Sequence, residues 1–81
     1  MYLGVIEVKP LDDYKLLLTF ENHEIRQFDM TNYLQRGIFK ELQDVRQFNR
    51  VKVSFDSIEW PNGADLDPEL LYEDSKAVLQ Q

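Results

Sequence analysis

The stretch Tyr14-Lys15-Leu16-Leu17-Leu18-Thr19-Phe20-Glu21-Asn22-His23-Glu24-Ile25-Arg26-Gln27-Phe28-Asp29 decides the fold. Tyr14, Leu16, Leu18 and Phe20 alternate with Lys15, Leu17, Thr19 and Glu21, and a period of two puts one strongly apolar face on an extended strand. Glu24 to Asp29 reads as the next strand. Asn22-His23 between them has the length of a two-residue hairpin turn. Such turns need φ > 0 at both positions; asparagine tolerates this, and histidine is among the few other residue types enriched there.

Upstream, Val5-Ile6-Glu7-Val8-Lys9 forms a first strand, ended by Pro10 and the acidic turn Asp12-Asp13. Downstream, Thr31 is placed to cap a short helical turn through Tyr33 and Leu34 that stops at Gly37. Ile38, Phe39, Leu42 and Val45 then recur at the spacing of a short amphipathic helix, and Phe48 anchors a further turn. Val51, Val53 and Phe55 alternate as a fourth strand. A tight turn near Asp56-Ser57 leads to a short fifth strand, Ile58-Glu59-Trp60, and Pro61-Asn62-Gly63 is turn chemistry. The last helix begins at Asp67, an N-cap residue, with Pro68 at the first helical position and Glu69 at the positive helix end. Leu66 and Leu71 are spaced for a hydrophobic staple. This helix is predicted to run to about Val78, with Gln80-Gln81 fraying. The pattern predicts one domain over residues 1–81, of α+β class: a small, mostly antiparallel sheet with short inserted helices and a C-terminal helix.

A chain of 81 residues buries only about 60–65% of the surface its unfolded form exposes, so its core is thin. With 43% hydrophobic and 12% aromatic residues, it is nonetheless well above the composition of disordered segments. It has no cysteine, which excludes disulfides and thiolate metal sites and suits a reducing, cytoplasmic setting. The first ten residues carry Glu7 and Lys9 within their apolar run, too charged for a signal segment, and no stretch is long and apolar enough to span a membrane.

The net charge of −6 is concentrated at one end. Residues 54–81 hold Lys76 against Asp56, Glu59, Asp65, Asp67, Glu69, Glu73 and Asp74. Such a surface repels nucleic-acid phosphates and attracts basic partners. Arg46, Arg50 and Lys52 around Phe48 are too few on an acidic chain to form a nucleic-acid footprint, so no direct nucleic-acid contact is expected.

The densest polar segment is Trp60-Pro61-Asn62-Gly63-Ala64-Asp65-Leu66-Asp67-Pro68-Glu69. Asn62, Asp65 and Asp67 offer hard oxygen donors for a small ligand or a divalent cation, but their spacing is not that of an EF-hand loop. Helix capping accounts for Asp67, Pro68 and Glu69 and turn geometry for Gly63, leaving Asp65 over. His23 is the only histidine and falls in a turn. Ser54, Ser57 and Ser75 have no histidine near them in sequence, and no nucleophile or phosphate-loop motif is present. No catalytic residue, no cofactor and no bound metal are expected.

The Trp60–Glu69 segment resembles the bacterial domain of unknown function 2442 family. The resemblance extends to Pro10-Leu11-Asp12-Asp13-Tyr14, Phe20-Glu21-Asn22, Phe28-Asp29, Gly37-x-Phe39-x-x-Leu42, Phe48-x-x-Val51 and Leu71-Tyr72. This chain has His23 where that family usually carries glycine. The resemblance implies no assigned activity and no catalytic residues. It implies small bacterial proteins, often encoded beside another small protein in arrangements like toxin–antitoxin pairs, and some longer relatives carry a helix-turn-helix domain. Any contact with DNA is therefore expected to run through a partner.

These readings converge on a non-catalytic protein-interaction module, antitoxin-like in its most concrete form. Its acidic surface of Glu69, Glu73 and Asp74, with Trp60 nearby, would meet a small basic protein. A thin core also leaves room for self-association, since a homo-oligomer buries further apolar surface. The alternative is a sensor for a small ligand or metal, with Asp65 at its centre.

Overall fold

Backbone pairing in the computed structural model, which describes residues 3–78, divides the strands between two sheets. Strands β1 (Val5–Leu11), β2 (Lys15–Phe20), β3 (Ile25–Asp29) and β7 (Lys76–Ala77) form one sheet in the order β1-β2-β3-β7. Strands β4 (Lys52–Ser54), β5 (Ser57–Glu59) and β6 (Asp65–Leu66) form the second, in chain order. Every pairing is antiparallel. Helices α1 (Val45–Phe48) and α2 (Pro68–Glu73) and two 3₁₀ segments, Asp12–Tyr14 and Gly37–Gln43, complete an α+β fold of the expected class, with two sheets in place of one.

The alternation read in β2 is observed from Leu16 on: Leu16, Leu18 and Phe20 are fully buried, whereas Tyr14, expected on the same strand face, lies before the strand in a 3₁₀ turn at φ 60°. Across the ladder, Leu16 faces Phe28 and Leu18 faces Val8 and Arg26. Side chains directly opposite one another share a face, so Arg26 is a charge on the core side of β3. The core is one cluster that joins these residues to Met30, Leu34, Leu42 and Phe48 from the connection, Ile58, Trp60, Ala64 and Leu66 from the second sheet, and Leu71 from α2.

The β2–β3 turn has three residues, Glu21-Asn22-His23, rather than two. The N–H of His23 donates to Phe20 O at 2.8 Å and that of Phe20 to Glu24 O at 2.9 Å. Only His23 is left-handed, at φ 69°, because a turn followed by one left-handed residue suffices for a three-residue hairpin. Trp60-Pro61-Asn62-Gly63-Ala64 repeats the device: Gly63 N–H donates to Trp60 O, Trp60 N–H to Ala64 O, and Gly63 has φ 93°. In both turns the central asparagine Oδ1 accepts the N–H two residues on, from Glu24 and Ala64, each at 3.0 Å. A left-handed non-glycine residue costs about 1 kcal/mol, offset in part by the unfolded-chain entropy that glycine adds. His23→Gly is therefore expected to raise stability by about 0.5 kcal/mol, read as a higher urea midpoint.

Other expectations are corrected. β1 passes through Pro10 to Leu11, since it is an outer strand of its sheet and a missing N–H there breaks no ladder bond. Thr31 caps nothing: its N–H and Oγ1 both donate to Asp29 Oδ1, at 2.9 and 2.7 Å, and residues 31–35 are turns. Gly37, at φ 48°, opens the second 3₁₀ segment instead of ending a helix. Of that segment's apolar residues Leu42 is buried, while Ile38 and the following Val45 are exposed. α2 ends at Glu73 because the chain beyond it finds better partners. Lys76 and Ala77 pair with Gln27 and Arg26, and Val78 N–H donates to Ile25 O at 2.9 Å. The fraying expected at Gln80-Gln81 lies outside the described residues.

Candidate functional site

β4 and β5 are joined by Phe55-Asp56, not by Asp56-Ser57, with Ser54 paired to Ser57. Both turn residues have positive φ, 49° and 66°, as a two-residue type I′ turn requires. Left-handed backbone at a bulky residue is strained, by about 1–3 kcal/mol. The fourth strand expected over Val51, Val53 and Phe55 is shorter, Lys52–Ser54, and Phe55 lies in the turn. Val53 is 37% exposed, and Phe55, at the tip, is 97% exposed.

The tip is tied to the first sheet. Val5 N–H donates to Asp56 O at 2.9 Å, and Gly4 passes so close that a Cβ there would lie 3.0 Å from Asp56 Cβ and 2.9 Å from Glu21 Oε1. Gly4 N–H also donates to Glu21 Oε1 at 2.6 Å. Beside the tip lies an open groove of about 370 Å³ between the second sheet and the start of α2. Its charged lining residues are Glu59, Asp65 and Asp67, all carboxylates. Its inner wall is closed by Ser57, which is buried and donates through Oγ to Leu66 O.

Among the residues expected at a site, Asp65 and Asp67 both line this groove. Asp67 is also the helix cap, its Oδ1 accepting Glu69 N–H at 2.8 Å. Asn62 is directed elsewhere and donates to Glu41 Oε1 at 2.9 Å. Among the described residues no three His, Cys, Asp or Glu side chains converge as a metal would need. Glu69, Glu73 and Asp74 are exposed. Trp60 leaves the interaction surface: it is 1% exposed, and its Nε1 donates to Phe48 O at 2.9 Å. Phe48 is equally buried and packs against Tyr14 and Trp60, so it offers no ring to a nucleobase. Phe55 was missed by sequence reasoning; its signal is the pairing of Ser54 with Ser57 around a Phe-Asp step in which aspartate tolerates left-handed backbone.

A second polar cluster forms where Arg26 fastens the C-terminal segment to β3. Its Nε donates to Ser75 Oγ at 2.7 Å, one terminal nitrogen to Ser75 O at 2.8 Å and the other to Glu24 Oε2 at 3.1 Å. The guanidinium lies 4.4 Å from the centre of the Tyr72 ring, and Tyr72 OH donates to Glu24 Oε1 at 2.9 Å. The Tyr72 hydrogen bond, helped by Arg26, holds the Glu24 carboxyl below its ordinary range. The same bond to Glu24, with burial, pushes the Tyr72 phenol up. Burial first, then the hydrogen bond to Asp74, raises Tyr33. Every partner in the Arg26 cluster is internal, so the cluster is a clasp.

Hairpin-built antiparallel sheets, short helices and an open acidic groove define a small α+β domain. The chain belongs to the protein of unknown function family DUF2442, whose model matches residues 5–77. No curated protein and no solved structure matches the chain. Among the described residues no helix is long and apolar enough to cross a membrane.

Proposed function

We propose that the chain is a non-catalytic interaction module that binds a basic partner protein, with an antitoxin-like accessory role as its most concrete form. The observation that carries this reading is the acidic C-terminal third. Asp56, Asp65, Asp67, Glu69, Glu73 and Asp74 are all exposed. Neither of the two ion pairs among the described residues, Arg26–Glu24 and Arg46–Asp44, involves this segment. Carboxylates that the fold leaves unneutralised steer the approach of a cationic surface and set its orientation more than they tighten the complex.

Capture of partners by the tagged chain from its own host is the test. The expected result is a small basic protein near one-to-one stoichiometry, lost at high salt and in a variant combining Glu69→Lys, Glu73→Lys and Asp74→Lys. A partner retained by that variant at all salt concentrations removes the acidic-surface reading. A small-ligand sensor is the second reading, favoured by Asp65 and Asp67 lining one groove. Its sign is a rise in melting temperature with a metabolite, since a ligand that binds only the folded state stabilises it by mass action, and loss of that rise in Asp65→Ala.

A further inference from the structure

We infer that the β4–β5 hairpin tip is a docking element, anchored by Phe55, for a segment of a partner protein that presents an apolar side chain flanked by lysine or arginine. The inference rests on the reading of the chain as an interaction module and adds the place of contact and the chemistry of the partner.

Phe55 contributes nothing to the core. The residue is 97% exposed and its backbone is left-handed, where glycine or asparagine would serve the turn better. Folding accounts for neither feature. Three of the five exposed large apolar side chains among the described residues, Ile6, Val53 and Phe55, belong to segments that meet here. Ile6 occupies the register shift in β1, next to the residue that bonds to Asp56.

The tip is also held in place. The Val5–Asp56 hydrogen bond and the close passage of Gly4 fix the backbone that carries the ring, so binding has the side-chain rotamer of Phe55 to order but not the turn. Aromatic anchors dominate interface energetics. The adjoining groove has room for an apolar side chain, and Glu59, Asp65 and Asp67 line it without a cation among them. Lys52, opposite Glu59 in the ladder, is outside the lining. A second copy docked about a two-fold axis would set these carboxylates against themselves, whereas a basic segment complements them.

Selection from a displayed library of random linear peptides tests this. The full chain is expected to enrich peptides with an apolar residue between basic ones. Phe55→Asn, which suits the left-handed turn and therefore folds, is expected to bind the enriched peptides about 30-fold more weakly. Phe55→Trp is expected to keep them, and Glu59→Lys combined with Asp65→Lys to lose them in a salt-dependent way. Equal binding by Phe55→Asn and the native chain overturns the docking site. If reversal of Glu69, Glu73 and Asp74 then abolishes binding, the interaction-module reading survives without it. Enrichment of acidic or uncharged peptides overturns the basic partner. Self-association that Phe55→Asn removes overturns it in favour of a second copy, and no enrichment at all overturns both readings.

Discussion

Trp60→Ala is expected to remove a large part of the stability of the fold. The indole is buried against Phe39 and Phe48, with ring centres at 6.3 and 6.2 Å. Removing such a ring from a core costs about 3–5 kcal/mol. At roughly 0.05–0.15 kcal/mol per residue, a domain of this length has about 4–12 kcal/mol in all, so the loss takes a large part of it. Trp60→Phe separates packing from hydrogen bonding. It keeps an aromatic ring but removes the donor to Phe48 O, whose other donor, Val51 N–H, is long at 3.4 Å. A cost of about 1–3 kcal/mol is expected for it. Urea titration followed by far-ultraviolet circular dichroism measures both, since the only tryptophan is lost as a reporter. A cooperative Trp60→Ala transition within about 1 kcal/mol of the native chain would contradict this account.

Arg26→Ala is expected to cost about 2–4 kcal/mol. The Arg26 side chain is 16% exposed, and charge-assisted hydrogen bonds of this kind are worth about 1.5–3 kcal/mol each at most when broken singly. Glu24, at 39% exposure, recovers hydration and limits the loss. Arg26→Lys is not expected to restore stability, because an ammonium cannot reproduce the fork that reaches both Ser75 and Glu24. The loss should be local first: amide hydrogen exchange at Lys76, Ala77 and Val78 accelerates more than at β2. Uniform acceleration across the fold would mean that Arg26 is not a clasp for the C-terminal segment.

The same cluster sets part of the acid response. The folded Glu24 carboxyl titrates below its ordinary value of 4.5, chiefly through Tyr72 OH. Its stabilising contribution is therefore present above about pH 4.5 and disappears as the pH falls through the lowered value. Tyr72→Phe removes the largest cause and should make the decline of stability below that pH shallower. Tyr72, shifted the other way, contributes below pH 10 and loses that contribution as the pH rises through its raised value.

Several elements are legible from local chemistry alone. Strict alternation from Leu16 to Phe20 has one solution in which the apolar face is buried, and β2 adopts it. Asp67-Pro68-Glu69 carries its own stop-and-start signal, because the cap, the fixed proline φ and the first-turn carboxylate all act within three residues. His23 is equally readable as a left-handed turn residue, although the turn around it is one residue longer than its sequence suggests. Of the candidate site, the carboxylates Asp65 and Asp67 are legible as a pair, and the structure places both along one groove.

What the sequence by itself determined were the short-range features, those whose physical cause lies within a few residues: the period of β2, the turn chemistry at His23 and Gly63, and the start of α2. Tertiary structure decided the rest, because each remaining choice depended on a partner far away in the chain. Lys76 and Ala77 left the helical pattern for the open edge of β3, where backbone groups find a ladder. Trp60 went inward because Phe48 O was there to accept its N–H. Phe55 went outward because the turn closes at Phe55-Asp56, with Asp56 O held by the N–H of Val5 from the far end of the chain, and a ring at a left-handed tip has no core within reach.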